Sequence, residues 1–285
     1  MITEKVRTLF TKLLAEQPEL ISPDLPNEVE LKKTRNLAIA EVAGRDSVAA
    51  VIKACQECPI GKVLPTIAYN GCQYGSLESV YFAVELMAKR VGEKKVLEPV
   101  MLGSPEFWKA LTMRFADILT ERFGFYTPYV ACHLYIHAIR VPLAKRLNCS
   151  LVISGERESH DGQIKINQTA AVLDQYAKLL SYFGIELLQP LRKIASGAEI
   201  IKLLGQEWAS GKQQLHCVLS GNYKNPDGSV DYGEGKRFSD AKSARFLEEY
   251  GLPLAKAILE KLCRGEAVDY EKEALNQLAS LQVYK

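Results

Sequence analysis

The chain has 285 residues, and 47% of them are hydrophobic, enough to bury a substantial core in one large or two smaller domains. Its 36 basic and 34 acidic residues leave a net charge of +2, which excludes a global polycation as the basis of nucleic-acid binding. No apolar run is long enough to span a bilayer, and the charged start "MITEKVRTLFTKLL" lacks a signal-peptide core, so the chain reads as cytoplasmic, without a membrane partner. Seven scattered cysteines, an odd number, point to free thiols rather than a disulfide framework.

In chain order, Val6, Leu9, Phe10, Leu13 and Leu14 share one face of a helix over residues 4 to 16. "QPELISPDLPNEVE", with three prolines, reads as a linker. Strands and helices then alternate: "LAIAEVA" as strand, 47–58 as helix, "KVLPTIAYN" as strand, 76–91 as helix, "KVLEPVML" as strand. Helices are expected over 105–123 and 133–147, strand at "CSLVISG", helix over 168–183, strand at "IELLQPL" and helix over 198–208. The alternation predicts an α/β, Rossmann-like parallel sheet with helices on both faces. "SGNYKNPDGSVDYGEGKRFSD" reads as loop, and two short helices close the chain. The expected divisions are an N-terminal helical segment and linker (1–35), a nucleotide-binding α/β domain (36–205) and a C-terminal extension (206–285).

Where "LAIAEVA" stops, the polar loop Gly44-Arg45-Asp46-Ser47 opens the next helix. A loop at the carboxyl end of a parallel strand, leading into a helix N-terminus, is a natural anion site. Gly44 permits close approach, Ser47 caps the helix or donates to a phosphate, Arg45 offers a bidentate guanidinium, and Asp46 is a cap, a Mg2+ ligand or a loop organiser. No Walker sequence is present. The densest polar stretch, "SGERESHDGQIKINQ", also follows a strand. Arg157 and Lys165 suit an anion, Glu156 or Asp161 a Mg2+ ion, and His160 a proton donor.

"VAGRDS" resembles the S-G-G-x-D-S loop of PP-loop ATPases of the adenine-nucleotide α-hydrolase-like superfamily, with Gly44, Asp46 and Ser47 matching and Val42 and Ala43 replacing the first Ser and Gly. "TPYVACHLYIHAIRVPLAKRLNCSLVISGE" resembles the segment in which a Cys-led helix precedes a strand ending in Thr-Gly-His, with Glu156 in place of the His. "LLQPLRKIASGAEIIKLL" and "HCVLSG" resemble the later Pro-Leu and second-cysteine regions of tRNA 2-thiouridine synthetases. The resemblance spans about residues 36 to 222 and implies a HUP-type fold.

It also implies ATP with Mg2+ as cofactors, release of pyrophosphate from an adenylated oxygen, and attack by sulfur. Cys132, placed at a helix start, and Cys217 are the implied catalytic pair. Ala43, Gly44, Arg45, Asp46, Ser47, Tyr69, Gly155, Arg157 and Lys165 become the nucleotide-contact candidates, and Asp46 and Asp161 the metal candidates. Cys72 is a third thiol on the same sheet edge, so an iron–sulfur cluster is a minority alternative, since C-x-x-C is missing at Cys132. Cys55-x-x-Cys58 has no second pair and reads as no zinc site, while Cys149 and Cys263 read as structural. Implied partners are a small-molecule or tRNA substrate and a sulfur-donor protein, and a homodimer is compatible. An ammonia-using amide- or nitrile-forming ligase and a nucleotide-binding protein with a degenerate loop are the alternatives.

Overall fold

A computed structural model describes residues 2–25, 27–209 and 214–281. Five parallel strands form the central sheet: β1 (Leu37–Glu41), β2 (Lys62–Tyr69), β4 (Val100–Gly103), β5 (Leu151–Ile153) and β6 (Glu186–Leu188), in the order β4-β2-β1-β5-β6. A separate antiparallel pair joins β3 (Gln73–Tyr74) to β7 (His216–Cys217).

Strand alternation sorts the core. Leu37 and Ile39 of β1 face one layer, Ala38 and Ala40 the other, and all four are buried. The second layer holds α1 (Glu4–Glu16), α3 (Arg45–Glu57), α4 (Glu78–Val91) and α10 (Gly197–Leu204), through Phe10, Val48, Val80 and Ile200 among others. The first holds α5 (Pro105–Leu111), α6 (Ala116–Phe123), α7 (Pro128–Ala138), α8 (Val141–Arg146) and α9 (Ala170–Tyr182). It also takes the C-terminal helices α11 (Asp240–Phe246), α12 (Leu252–Cys263) and α13 (Tyr270–Ser280). A π-helical turn, Leu247–Gly251, joins α11 to α12. The small helix α2 (Glu28–Lys33) lies within the expected linker, whose Leu20 exchanges backbone hydrogen bonds with Gly103 at the end of β4. Among the described residues, no helix is long and apolar enough to cross a membrane.

Several boundaries depart from the sequence reading. The expected strand over 95–102 is a lone bridge at Val96 and then β4, because Pro99 has no N–H to pair. The expected helix over 105–123 breaks between Leu111 and Ala116, where the Thr112 hydroxyl donates to the Trp108 carbonyl at 2.6 Å. The helix expected over 133–147 begins at Pro128 and ends at Ala138, with α8 restarting around Pro142. Thr127-Pro128 was the start signal in the sequence, since proline suits the first helical turn. Cys132 therefore lies inside a helix and not at its N-terminus.

Successive strands run from β1 outward through β2 to β4, and the chain then crosses back to lay β5 against the other side of β1. The connections leaving β1 and β5 diverge to opposite sides, which opens a crevice at their carboxyl ends.

Candidate active site

That crevice is a cavity of about 990 Å³, walled by the loop after β1, the loop after β5, α7 and the segment around β7. Ala43 to Ser47, Cys132, Gly155, Arg157, Asp161, Lys165 and Cys217 all line it. The loop after β1 is braced from inside. Ser47 Oγ donates to the Gly44 carbonyl at 2.6 Å and accepts from the Ala43 and Gly44 N–H groups, both at 3.1 Å. The hydroxyl expected to cap the helix or meet phosphate thus holds the turn together. The N–H groups of the first turn of α3, Arg45 to Ser47, are those a helix leaves without intrahelical partners. Close approach belongs to Gly155 rather than Gly44. A Cβ on Gly155 would stand 2.6 Å from backbone atoms of Asp46 and Ser47, whereas one on Gly44 would meet the Gln214 side chain at 3.1 Å.

Asp46 is held by two guanidiniums, Arg45 Nε at 2.7 Å and Arg157 Nε at 2.9 Å. Burial works against its charge, but Arg45 and then Arg157 and Lys165 outweigh it, and its pKa is lowered. Arg157 is 1% exposed and also donates to the carbonyls of Ile194 and Ala195. Burial lowers the pKa of Lys165 against the pull of Asp46 and Glu156. This wall of the cavity thus carries three cations around one carboxylate. Asp161 accepts from the Gly197 N–H at 2.8 Å and secures the start of α10. Both metal candidates are therefore engaged by protein groups, and among the described residues no set of three His, Cys, Asp or Glu side chains is disposed to hold a metal ion. Burial, then Lys165 and Arg157, push His160 down to about 4, so it is a neutral imidazole near pH 7 and no ready proton donor. Tyr69 is turned away from the cavity: it is 1% exposed, and its hydroxyl donates to the Pro18 carbonyl.

The thiols meet at the other end of the cavity. Cys217 is half-buried on β7, opposite Gln73 of β3, and the Val218 N–H donates to the Cys72 carbonyl at 2.9 Å. The Cys72 thiol hydrogen-bonds to Cys217, which pulls Cys217 down to about 6 despite burial, helped by the N–H groups of Leu219 and Ser220 and by His133. The same bond, then burial, raises Cys72. Cys132 lies close enough to interact with both, but it is 5% exposed and burial pushes it up to about 12, although Trp108 and Asn70 donate to its sulfur at 3.4 and 3.2 Å. Cys217 therefore has a second thiol partner besides the expected Cys132: it shares a hydrogen bond with Cys72 and interacts only electrostatically with Cys132. Among the described residues, the three thiols do not group as a set of metal ligands. Cys149 is buried and donates to the Leu37 carbonyl, while Cys263 is exposed.

Between the two ends lies a buried charged array that the sequence reading missed. His137 Nδ1 is 2.7 Å from Glu41 of β1, and its Nε2 is 3.8 Å from Glu156. His133 Nδ1 is 3.0 Å from Glu156, and Arg140 is 3.7 Å from Glu41 and donates to Thr66 Oγ1 at 2.7 Å. The signal was present in the sequence: His133, His137 and Arg140 recur at the spacing of one helical face.

No family model matches the chain. A relative, the uncharacterized protein MJ0009 of Methanocaldococcus jannaschii, is 40% identical over 237 residues, covering 82% of this chain and 83% of its own length. Among solved structures, the chain is similar to a 4-thiouridine synthetase–RNA complex with bound ATP, at 15% identity and TM-score 0.49, over 80% of this chain. It spans about half (53%) of that longer chain. It is also similar to the U34-tRNA thiolase NcsA from Methanococcus maripaludis with its [4Fe-4S] cluster, at 13% identity and TM-score 0.38, over 87% of this chain and 77% of that one.

Proposed function

The chain belongs to the family of the uncharacterized protein MJ0009 of M. jannaschii, and for this family member we propose an ATP-dependent PP-loop enzyme that adenylates an acceptor oxygen and delivers sulfur to the activated carbon. One observation carries the reading. A cationic helix start at the sheet's switch point opens into the same cavity as an acidified, accessible thiol. The first supplies what a departing pyrophosphate needs, and the second what sulfur transfer needs.

In this reading the phosphates lie against the first-turn N–H groups of α3, with Arg45, Arg157 and Lys165 around them. Asp46 orients the two arginines, and Mg2+ arrives with ATP as part of the substrate. The acceptor oxygen attacks the α-phosphorus and pyrophosphate leaves. Sulfur carried as a persulfide on Cys217, loaded by a donor persulfide, attacks the adenylated carbon and displaces AMP. The Cys72 thiolate then attacks Cys217 Sγ, releases the thiolated product and leaves a Cys72–Cys217 disulfide for an external thiol to reduce. The acceptor is a tRNA base or a small molecule.

The test is to incubate the protein with MgATP and panels of tRNA and small carbonyl compounds, following pyrophosphate, AMP and sulfur incorporation. The proposal requires pyrophosphate release that survives Cys217→Ser and sulfur incorporation that does not. Complete turnover by Cys217→Ser with ammonia would favour an amide-forming ligase instead. ADP and phosphate as products would reject the adenylating reading.

A further inference from the structure

The array behind the thiols is not needed for phosphate binding. It places three basic side chains, His133 and His137 of α7 and Arg140 just beyond its end, against two carboxylates, Glu41 at the end of β1 and Glu156 just after β5. Glu41, His137, Arg140 and Glu156 are all at most 7% exposed. Ionised groups withdrawn from water this far add little net stability, and apolar residues of the same volume would serve the core as well or better. The array therefore calls for a use.

Its charge balance suggests one. Burial opposes the charge on His137, but Glu41 and Glu156 outweigh it, and its pKa is raised. Burial likewise opposes both carboxylates, but His137 and Arg140 lower Glu41, and His133 and His137 lower Glu156. The two carboxylates are countered by Arg140 and by His137, whose pKa they raise, and His133 is the remaining member. It lines the cavity, and its side chain is 22% exposed. Because Nδ1 faces a carboxylate that can only accept, the neutral ring carries its proton there and turns the lone pair of Nε2 away from Glu156. Glu156 Oε2 is buried without a hydrogen-bond partner, so this carboxylate has spare capacity to stabilise an imidazolium at His133. Across the cavity wall His133 interacts electrostatically with Cys217. The other ionisable groups bearing on the array are Lys165 and Tyr176, which interact with Glu156, and Tyr135, beside Arg140, while Cys72, Cys132 and Tyr129 bear on Cys217.

Resting on the thiol chemistry proposed for this cleft, we propose that His133 accepts the proton of the Cys217 thiol, and that Glu41, His137 and Glu156 are positioning residues that hold its tautomer. The S–H bond breaks, its electron pair stays on sulfur, and the proton forms an N–H bond at His133 Nε2, while Nδ1–H stays with Glu156. The resulting imidazolium lies across the cavity wall from the new thiolate, with Glu156 at its Nδ1.

The experiment follows alkylation of Cys217 by iodoacetamide against pH in the full chain, read by peptide mass, and uses neither ATP nor acceptor. In the wild type the rate should rise with a midpoint at about 6. His133→Asn keeps an amide to meet Glu156 but removes Nε2. It should move the midpoint upward and slow alkylation near that pH about tenfold, equivalent to one pKa unit. Glu156→Gln should move it the same way by less, and Glu156→Asp should restore part of the shift. An unshifted midpoint in His133→Asn, even with lowered thermal stability, overturns the proposal, because a merely structural histidine would act on stability alone. If His133→Asn does not fold, His133→Gln is judged by the same criterion. Sulfur incorporation persisting in Cys217→Ser would sink the proposed function, while the proton acceptor would still be decided by the alkylation midpoints alone.

Discussion

Gly155→Ala changes one hydrogen to a methyl group and leaves every charged group in the cleft intact. The new Cβ would lie 2.6 Å from the Asp46 carbonyl carbon and the Ser47 nitrogen and 2.8 Å from the Asp46 oxygen. Comfortable contacts lie at about 3.5 Å or more, so the start of α3 and the end of β5 must part by roughly 1 Å. Overpacking of this kind costs about 1–3 kcal/mol. The upper end applies, because backbone rather than a pliable side chain is struck on both sides, and because the 2.9 Å bond from Arg157 to Asp46 is stretched by the same movement. A loss of about 3 kcal/mol lowers the melting temperature of a 285-residue chain by roughly 5 °C. At the proposed ATP site, calorimetry should also show affinity falling at least about tenfold, a loss of about 1.4 kcal/mol in binding. Gly44→Ala is the control: Gly44 has extended backbone (φ −178°), and its Cβ would press only on the Gln214 side chain. The reasoning is refuted if Gly155→Ala melts with the wild type, or if Gly44→Ala lowers the melting temperature as much.

Asp46→Asn keeps the shape but leaves the buried Arg157 guanidinium with carbonyl partners alone, so urea denaturation should register a loss of about 2–3 kcal/mol; an unchanged midpoint would show that the carboxylate does not anchor the loop. Cys72→Ala removes the thiol that acidifies Cys217, so the alkylation midpoint should climb from about 6 toward an ordinary thiol, whereas Cys132→Ala should shift it far less; the reverse ranking would return the pairing to Cys132. The array also makes stability depend on pH from both sides. Glu41 and Glu156, lowered below 4.5, support the fold above that value and lose this as pH falls through their folded values. His137, raised above 6.5, supports the fold below that value and loses this as pH rises through its folded value. Urea midpoints across pH should therefore decline on both limbs, with the alkaline decline weaker in His137→Gln; an alkaline limb identical in that variant would contradict the assignment.

Local chemistry made the cationic end of the cavity legible. An apolar strand, a Gly-Arg-Asp-Ser turn and a helix are read within fifteen residues, and "SGER" announces the second wall because it too follows a strand. The partnership of Arg157 with Asp46 was not legible, because it depends on β5 returning beside β1, and charge alone named both residues without joining them. Tyr69 was misplaced because a strand covered on both faces gives no in-or-out signal for its last residue. The thiol pairing was hidden for another reason: β3 and β7 are two residues each, far apart in sequence, and too short for any periodicity. The buried array escaped because a helix start read at His133 instead of Pro128 tied the histidines to Cys132, while their carboxylate partners arrive from the distant ends of β1 and β5.

The small ladder between β3 and β7 also has a temporal consequence. Its first strand leaves the ribosome early and its second only after the sheet and most of the surrounding helices have been made. Until the late segment folds back, Cys72 and Cys217 are two ordinary thiols, each protonated at neutral pH. The acidity of Cys217 belongs to the completed contact, not to the residue. A half-made or misfolded chain thus carries no unusually reactive sulfur, and nucleophilic power is switched on by the same closure that finishes the cavity wall.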